Sequence, residues 1–100
     1  MTNHMELLEP LGGECNLRIM CNVDKFIYNS ERSERSVTFF IEEMKIVITC
    51  NYSLLFDSNF WNIYVYGGPY DPHKKVSSYI TRPDVLLRTF EIFTGYSLSF

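Results

Sequence analysis

The sequence predicts an α+β domain: an antiparallel sheet of about four to six strands with one C-terminal helix packed on one face. Three observations carry this. Apolar and polar residues alternate in several stretches before residue 80, the period of half-buried strands. Residues 83–94 repeat apolar side chains at helical spacing instead. The chain has no alanine, a leading helix former, whereas its 8 phenylalanines and 7 tyrosines supply a core of few, bulky parts suited to a pleated surface. A chain of 100 residues is expected to form a single domain, 1–100, that hides roughly 65% of the surface its unfolded form would expose.

Residues 1–13 are weakly patterned and expected to be poorly ordered, with Met5, Leu7 and Leu8 at most a helical turn ended by Pro10-Leu11-Gly12-Gly13. His4-Met5 resembles a junction added for expression, so Met1–His4 is not expected to contribute to the fold. From Cys15 to Val23 the chain alternates, with Leu17, Ile19, Cys21 and Val23 on one side, which predicts a strand. Phe26-Ile27-Tyr28 is a second short apolar run. Ser30–Ser36 repeats Ser-Glu-Arg and reads as a charge-balanced, solvated loop.

Between Ser36 and Cys50 the apolar parity switches at Glu42-Glu43. A two-residue hairpin turn there would place Ile41 opposite Met44, Phe39 opposite Ile46 and Val37 opposite Ile48, all on one face. Glutamate is poor at the positive φ that such turns need, so a bulge in one long strand is the alternative. Asn51 to Asn59 reads as a connection whose Leu54, Leu55 and Phe56 form a turn packed inward.

The clearest strand is Phe60–Tyr66. Trp61, Ile63 and Val65 share one face, and Phe60, Asn62, Tyr64 and Tyr66 share the other. Gly67–Lys75, with two prolines and two glycines, is a loop, and Val76–Ile80 a short edge strand. In the helix, Leu86, Leu87, Phe90 and Phe93 build an apolar stripe, Thr81-Arg82-Pro83-Asp84 fits a capping box, Ile80 and Val85 fit a hydrophobic staple, and Gly95 is placed to end it. The predicted core is Trp61, Ile63, Val65, Phe39, Ile46, Ile48, Leu86, Phe90 and Phe93.

The chemistry-bearing residues are sparse. A net charge of −3 argues against a protein that tracks a nucleic-acid backbone. Tyr64 and Tyr66 on a sheet face resemble a base-stacking surface, but the basic motif that accompanies one is missing. Cys15, Cys21 and Cys50 are odd in number and, with His4 and His73, lack the close ligand pairs of a zinc site. Free thiols, no cofactor and a reducing, cytoplasmic setting are expected. No apolar run approaches the roughly 20 residues of a membrane-spanning helix. Nothing resembles a nucleophile elbow or a phosphate-cradling loop, and adjacent Glu42 and Glu43 are poorly disposed for paired acid–base work.

Small size, mild acidity, many tyrosines and missing catalytic motifs are shared, in type only, with toxin-immunity proteins and phage-encoded inhibitors of host defence. The expectation is a non-catalytic inhibitor that occupies a protein partner, a basic toxin or a host defence complex, as a monomer or homodimer. Its contact surface is expected at Tyr64, Tyr66, Tyr70, Asp71, His73 and Lys74, an aromatic group beside a mixed-charge loop on a rigid sheet. The competing readings are a small enzyme using Cys50 or His73, and a structural subunit that self-associates through an open sheet face.

Overall fold

A computed structural model describes residues 5–32, 34–67 and 73–98. Five strands form one antiparallel sheet in sequence order: β1 (Phe26–Glu31), β2 (Glu34–Ile41), β3 (Met44–Ser53), β4 (Ser58–Tyr66) and β5 (Lys75–Ile80). Three helices accompany it: α1 (Met5–Leu8), continued by a 3-10 turn at Glu9–Leu11, α2 (Gly13–Cys21) and α3 (Pro83–Thr94). The α+β class, the antiparallel sheet and the C-terminal helix are as the sequence predicts.

The β2–β3 hairpin adopts the register required by the parity switch: Ile41 faces Met44, Phe39 faces Ile46 and Val37 faces Ile48. Glu42 takes the positive φ that the turn demands, at 55°. Its carboxylate accepts a 2.8 Å hydrogen bond from the Tyr96 hydroxyl, which ties the turn to the tail beyond α3. Ile46 then faces Val65, Ile48 faces Ile63 and Cys50 faces Trp61 across β3 and β4. The apolar faces of three strands therefore merge into one surface.

The helices cover that surface. Leu7, Leu8, Leu11, Leu17, Leu86 and Phe90 form a single buried cluster with Val37, Phe39, Ile41, Ile46, Ile48, Ile63 and Val65. Phe39 meets Phe90 on one side and Phe26 on the other, with ring centroids 6.4 and 5.4 Å apart. Of the predicted core, Trp61 and Phe93 are only half-buried at its margin. The segment expected to be poorly ordered instead delivers Leu7, Leu8 and Leu11 to the centre of the core.

Four local expectations are corrected. Residues 13–21 form a helix where alternation predicted a strand. Leu17 and Cys21, four apart, are buried together, while Ile19 points to solvent. Asn22 closes this helix in the left-handed conformation, its N–H donating to the Leu17 carbonyl. Glu14 and Arg18 form an i, i+4 ion pair at 3.3 Å on the side of this helix that meets β1, where the Tyr28 hydroxyl bonds to Glu14 and Arg18 lies over the Phe26 ring.

Second, the Ser-Glu-Arg repeat is mostly strand. Glu31 pairs with Glu34, so that β1 and β2 run to the very tip of their hairpin. Third, β3 and β4 extend through Asn51–Asn59 to a terminal pair at Ser53 and Ser58, and Leu54, Leu55 and Phe56 stand out in solvent. Fourth, α3 has no capping box. Arg82 is its N-cap without a side-chain cap bond, and its guanidinium instead pairs with Asp84 at 2.8 Å. Val85 of the expected staple is exposed. Gly95 ends α3 with φ 79° and its N–H on the Glu91 carbonyl, as expected.

Candidate functional site: the uncovered face of the sheet

Period-two alternation sends Thr38, Phe40, Lys45, Val47, Thr49, Asn62, Tyr64 and Tyr66 to the side opposite the helices. Among the described residues, no helix packs against that side. Phe40, Ile27 and Val76 are exposed there, and Val47, Tyr64 and Tyr66 are half-buried by their neighbours in the sheet. Phe40, Lys45 and Tyr66 form one cross-strand row, and Ile27, Thr38, Val47, Tyr64 and Val76 the next.

Two lysines cap the tyrosines. The Lys74 ammonium lies 5.6 Å from the centre of the Tyr64 ring and 5.5 Å from that of Tyr66, and the Lys45 ammonium lies 5.6 Å from the centre of the Tyr66 ring. Such contacts hold a cation against an aromatic face while leaving its remaining N–H donors to a partner. The expected site residues Tyr64, Tyr66 and Lys74 are thus brought together. His73 is exposed one residue before Lys74. Tyr70 and Asp71 lie outside the described residues. Lys45, not among the expected site residues, joins the group because its strand neighbour is Tyr66.

At the opposite end of the same face, a pocket of about 630 Å³ is lined by Ser53, Phe56, Ser58, Phe60, Tyr79 and Thr81. Phe60 and Tyr79 stack with centroids 5.1 Å apart and planes 20° from parallel. A bulge builds this pair: Ser78 and Tyr79 lie between the Ser77–Ile63 and Ile80–Trp61 pairs and oppose the single residue Asn62. Tyr79 takes φ 58°, an unusual conformation for an aromatic residue. Its N–H is held at 3.0 Å by the Asn62 side-chain oxygen, whose amide nitrogen donates to the Thr49 hydroxyl at 2.9 Å. The strained backbone lifts Tyr79 onto the surface, where it is 72% exposed.

Beside this pocket the β3–β4 turn presents Leu54, Leu55 and Phe56, 88%, 84% and 66% exposed. The turn is itself ordered by polar contacts: Ser53 Oγ accepts from the Phe56 N–H, and the Tyr52 hydroxyl bonds to the Asp57 carboxylate. Sequence reasoning missed this tip. The available signal was Ser53 and Asp57-Ser58, turn residues that frame the three apolar side chains.

The other chemistry considered from sequence is scattered. Cys50 is buried on the helix-covered face, where the Arg35 guanidinium lies 3.4 Å from its sulfur. His73 precedes β5, whose Lys75 aligns through Val65 with Ile46, four residues from Cys50 along β3, or about 13 Å at the rise of a strand. The structure does not bring Cys50 and His73 together. None of the three cysteines is in a disulfide, and burial pushes the Cys21 thiol from 9.0 up to about 11. Tyr28 is shifted upward by burial and by its hydrogen bond to Glu14, and Tyr96 by its bond to Glu42. All three groups lie on the helix side of the sheet. Among the described residues, no three His, Cys, Asp or Glu side chains gather to hold a metal, and no helix is long and apolar enough to cross a membrane.

No protein-family model, no curated protein and no solved structure matches the chain.

Proposed function

We propose that this protein is a small, non-catalytic inhibitor that acts by occupying a protein partner with the uncovered face of its sheet. One observation carries the reading. Among the described residues, the five-stranded sheet has no helix on one face, and that face carries aromatic groups at both ends, the Tyr64–Tyr66–lysine group and the Phe60–Tyr79 pocket. Aromatic side chains with polar tips, held on regular strands, supply contact area at little entropic cost and dominate protein interfaces.

The local charge selects the partner's chemistry. Net acidity favours a basic partner, but Lys45 and Lys74 stand at the tyrosines. A partner would therefore set acidic side chains against this end and an apolar side chain into the pocket between Phe56, Phe60 and Tyr79. Toxins and host defence complexes are the classes of target that fit a stoichiometric inhibitor of this size.

The test is quantitative capture from the native host by wild type, by Lys74→Glu with Tyr66→Ala, and by Arg88→Glu on the helix side as a control. The reading requires that one partner be captured by wild type and by the control and lost with the open-face variant, while thermal unfolding shows all three folded. Capture that survives the open-face changes and is lost with Arg88→Glu would move the interface to the helices.

A further inference from the structure

The two edges of the sheet are built differently. At β5 the backbone is interrupted by the bulge, Tyr79 departs from extended geometry, and Lys74 and Lys75 stand at the start of the strand. These features obstruct the approach of another strand. At β1 there is no bulge, no proline and no inward-pointing charge across Phe26–Glu31, which pairs residue for residue with β2. Among the described residues, α2 reaches β1 on the helix side, through Glu14 at Tyr28 and Arg18 at Phe26, and no strand pairs with its outer edge.

The hairpin decides which groups of β1 face outward. Glu31 and Glu34 close a two-residue turn, and such a closing pair exchanges both main-chain hydrogen bonds. Glu31, Asn29 and Ile27 therefore direct their N–H and C=O groups at β2, and Phe26, Tyr28 and Ser30 direct theirs away from the sheet.

We propose that β1 pairs antiparallel with β1 of a second copy of this chain, about a two-fold axis through Tyr28, to form a continuous ten-stranded sheet. In this register Tyr28 faces Tyr28 of the second copy, and Phe26 faces Ser30 on either side. All the outward groups are used, in roughly six main-chain hydrogen bonds. The flanking charges choose the same register. Lys25 falls opposite Glu31 of the second copy, twice by symmetry, on the uncovered face beside Ile27. Sliding the strands by two residues either way sets Lys25 against Asn29 or Glu31 against Ile27, and the charge pairs are lost. On the helix side, Glu14, bonded to Tyr28, is already paired with Arg18, so no uncompensated carboxylate meets the axis.

The joined sheet keeps every helix on one side and doubles the uncovered face, so self-association and the proposed inhibitory surface are compatible and separable. The contact is small for a permanent dimer, and dissociation constants on the order of 10–100 µM are expected.

Sedimentation velocity on the purified chain, from about 5 to 500 µM, reads the equilibrium directly. Lys25→Glu and Glu31→Lys should each weaken dimerisation by about tenfold or more. Mixing these two variants should restore it, because each supplies the charge that the other now needs, and Lys25→Glu with Glu31→Lys in one chain should dimerise like wild type. Ser30→Pro removes an outward N–H while leaving the β2 bonds, and should give a folded monomer. A chain that stays monomeric throughout this range overturns the proposal. So does a dimer that ignores Ser30→Pro and shows no recovery when the charge-reversed variants are mixed.

Discussion

On the covered face of the sheet, Val37, Phe39, Ile46, Ile48 and Ile63 are sealed beneath Leu8, Leu86 and Phe90. On the other face, the residues that alternate with them, Thr38, Phe40, Val47, Tyr64 and Tyr66, keep contact with solvent. The same strands, in one register, carry both sets. The covered face carries the stability, because its side chains have exchanged water for close-packed neighbours. Apart from buried Thr49 and the Asn62 side chain that bonds to it, the residues of the uncovered face keep contact with solvent, and substitutions there are expected to cost the fold less. Substitutions that separate folding from binding should therefore divide by strand parity.

The largest effect is expected at the meeting point of helix and sheet. Phe90 is fully buried against Phe39, so Phe90→Ala should lower unfolding free energy by roughly 3–5 kcal/mol in chemical denaturation. A loss under about 1 kcal/mol with the fold retained would mean that α3 is not the lid of this core.

Alkaline pH should also act through the helix side. The folded state raises the Cys21 thiol from 9.0 to about 11, which means that it favours the protonated form. The unfolded chain releases that proton first, so the contribution is intact below about pH 9 and declines towards pH 11. The loss should reach roughly 1–3 kcal/mol. Denaturation midpoints between about pH 8 and 9, where few tyrosines of the unfolded chain have ionised, should be flatter in Cys21→Ala than in wild type; equal slopes would count against the buried thiol.

At Tyr66 the two properties should come apart. Tyr66→Ala is expected to weaken partner binding by about 1–2 kcal/mol and to change unfolding free energy by less than about 1 kcal/mol. Isothermal titration alongside denaturation measures both, and a stability loss matching the binding loss would erase the distinction between the faces. The smallest effect on folding belongs to the β3–β4 tip. Leu54→Ser with Leu55→Ser should alter stability by no more than about 0.5 kcal/mol, since neither side chain is packed. A destabilisation above 1 kcal/mol would show that the tip is folded against the protein in solution.

Some of these distinctions were legible in the residues. The parity switch at Glu42-Glu43 identified the β2–β3 register, because any other pairing strands apolar side chains on the wrong face. Turn chemistry argued against it. Burial of the one apolar face that β2 and β3 share outweighed the modest cost of a positive φ at Glu42, and the Tyr96 hydroxyl stabilises that turn from a position 54 residues away. Likewise the separation of Trp61, Ile63 and Val65 from Tyr64 and Tyr66 follows from period two alone.

By itself the sequence determined the class of fold, the α3 stripe with its Gly95 stop, and which side chains of β2, β3 and β4 share a face, since these depend on local periodicity and short-range sterics. Only the tertiary structure decided that residues 13–21 coil into a helix. Leu17 and Cys21 satisfy both a two-residue and a four-residue period, and the apolar surface they must cover is assembled from distant strands. Only the tertiary structure placed Lys74 and Lys45 on the tyrosines, left the outer edge of β1 without a strand partner among the described residues while β5 is obstructed, and left Leu54, Leu55 and Phe56 in water. Each of these rests on which elements lie beside which, and contact between distant segments leaves no periodic trace in the chain.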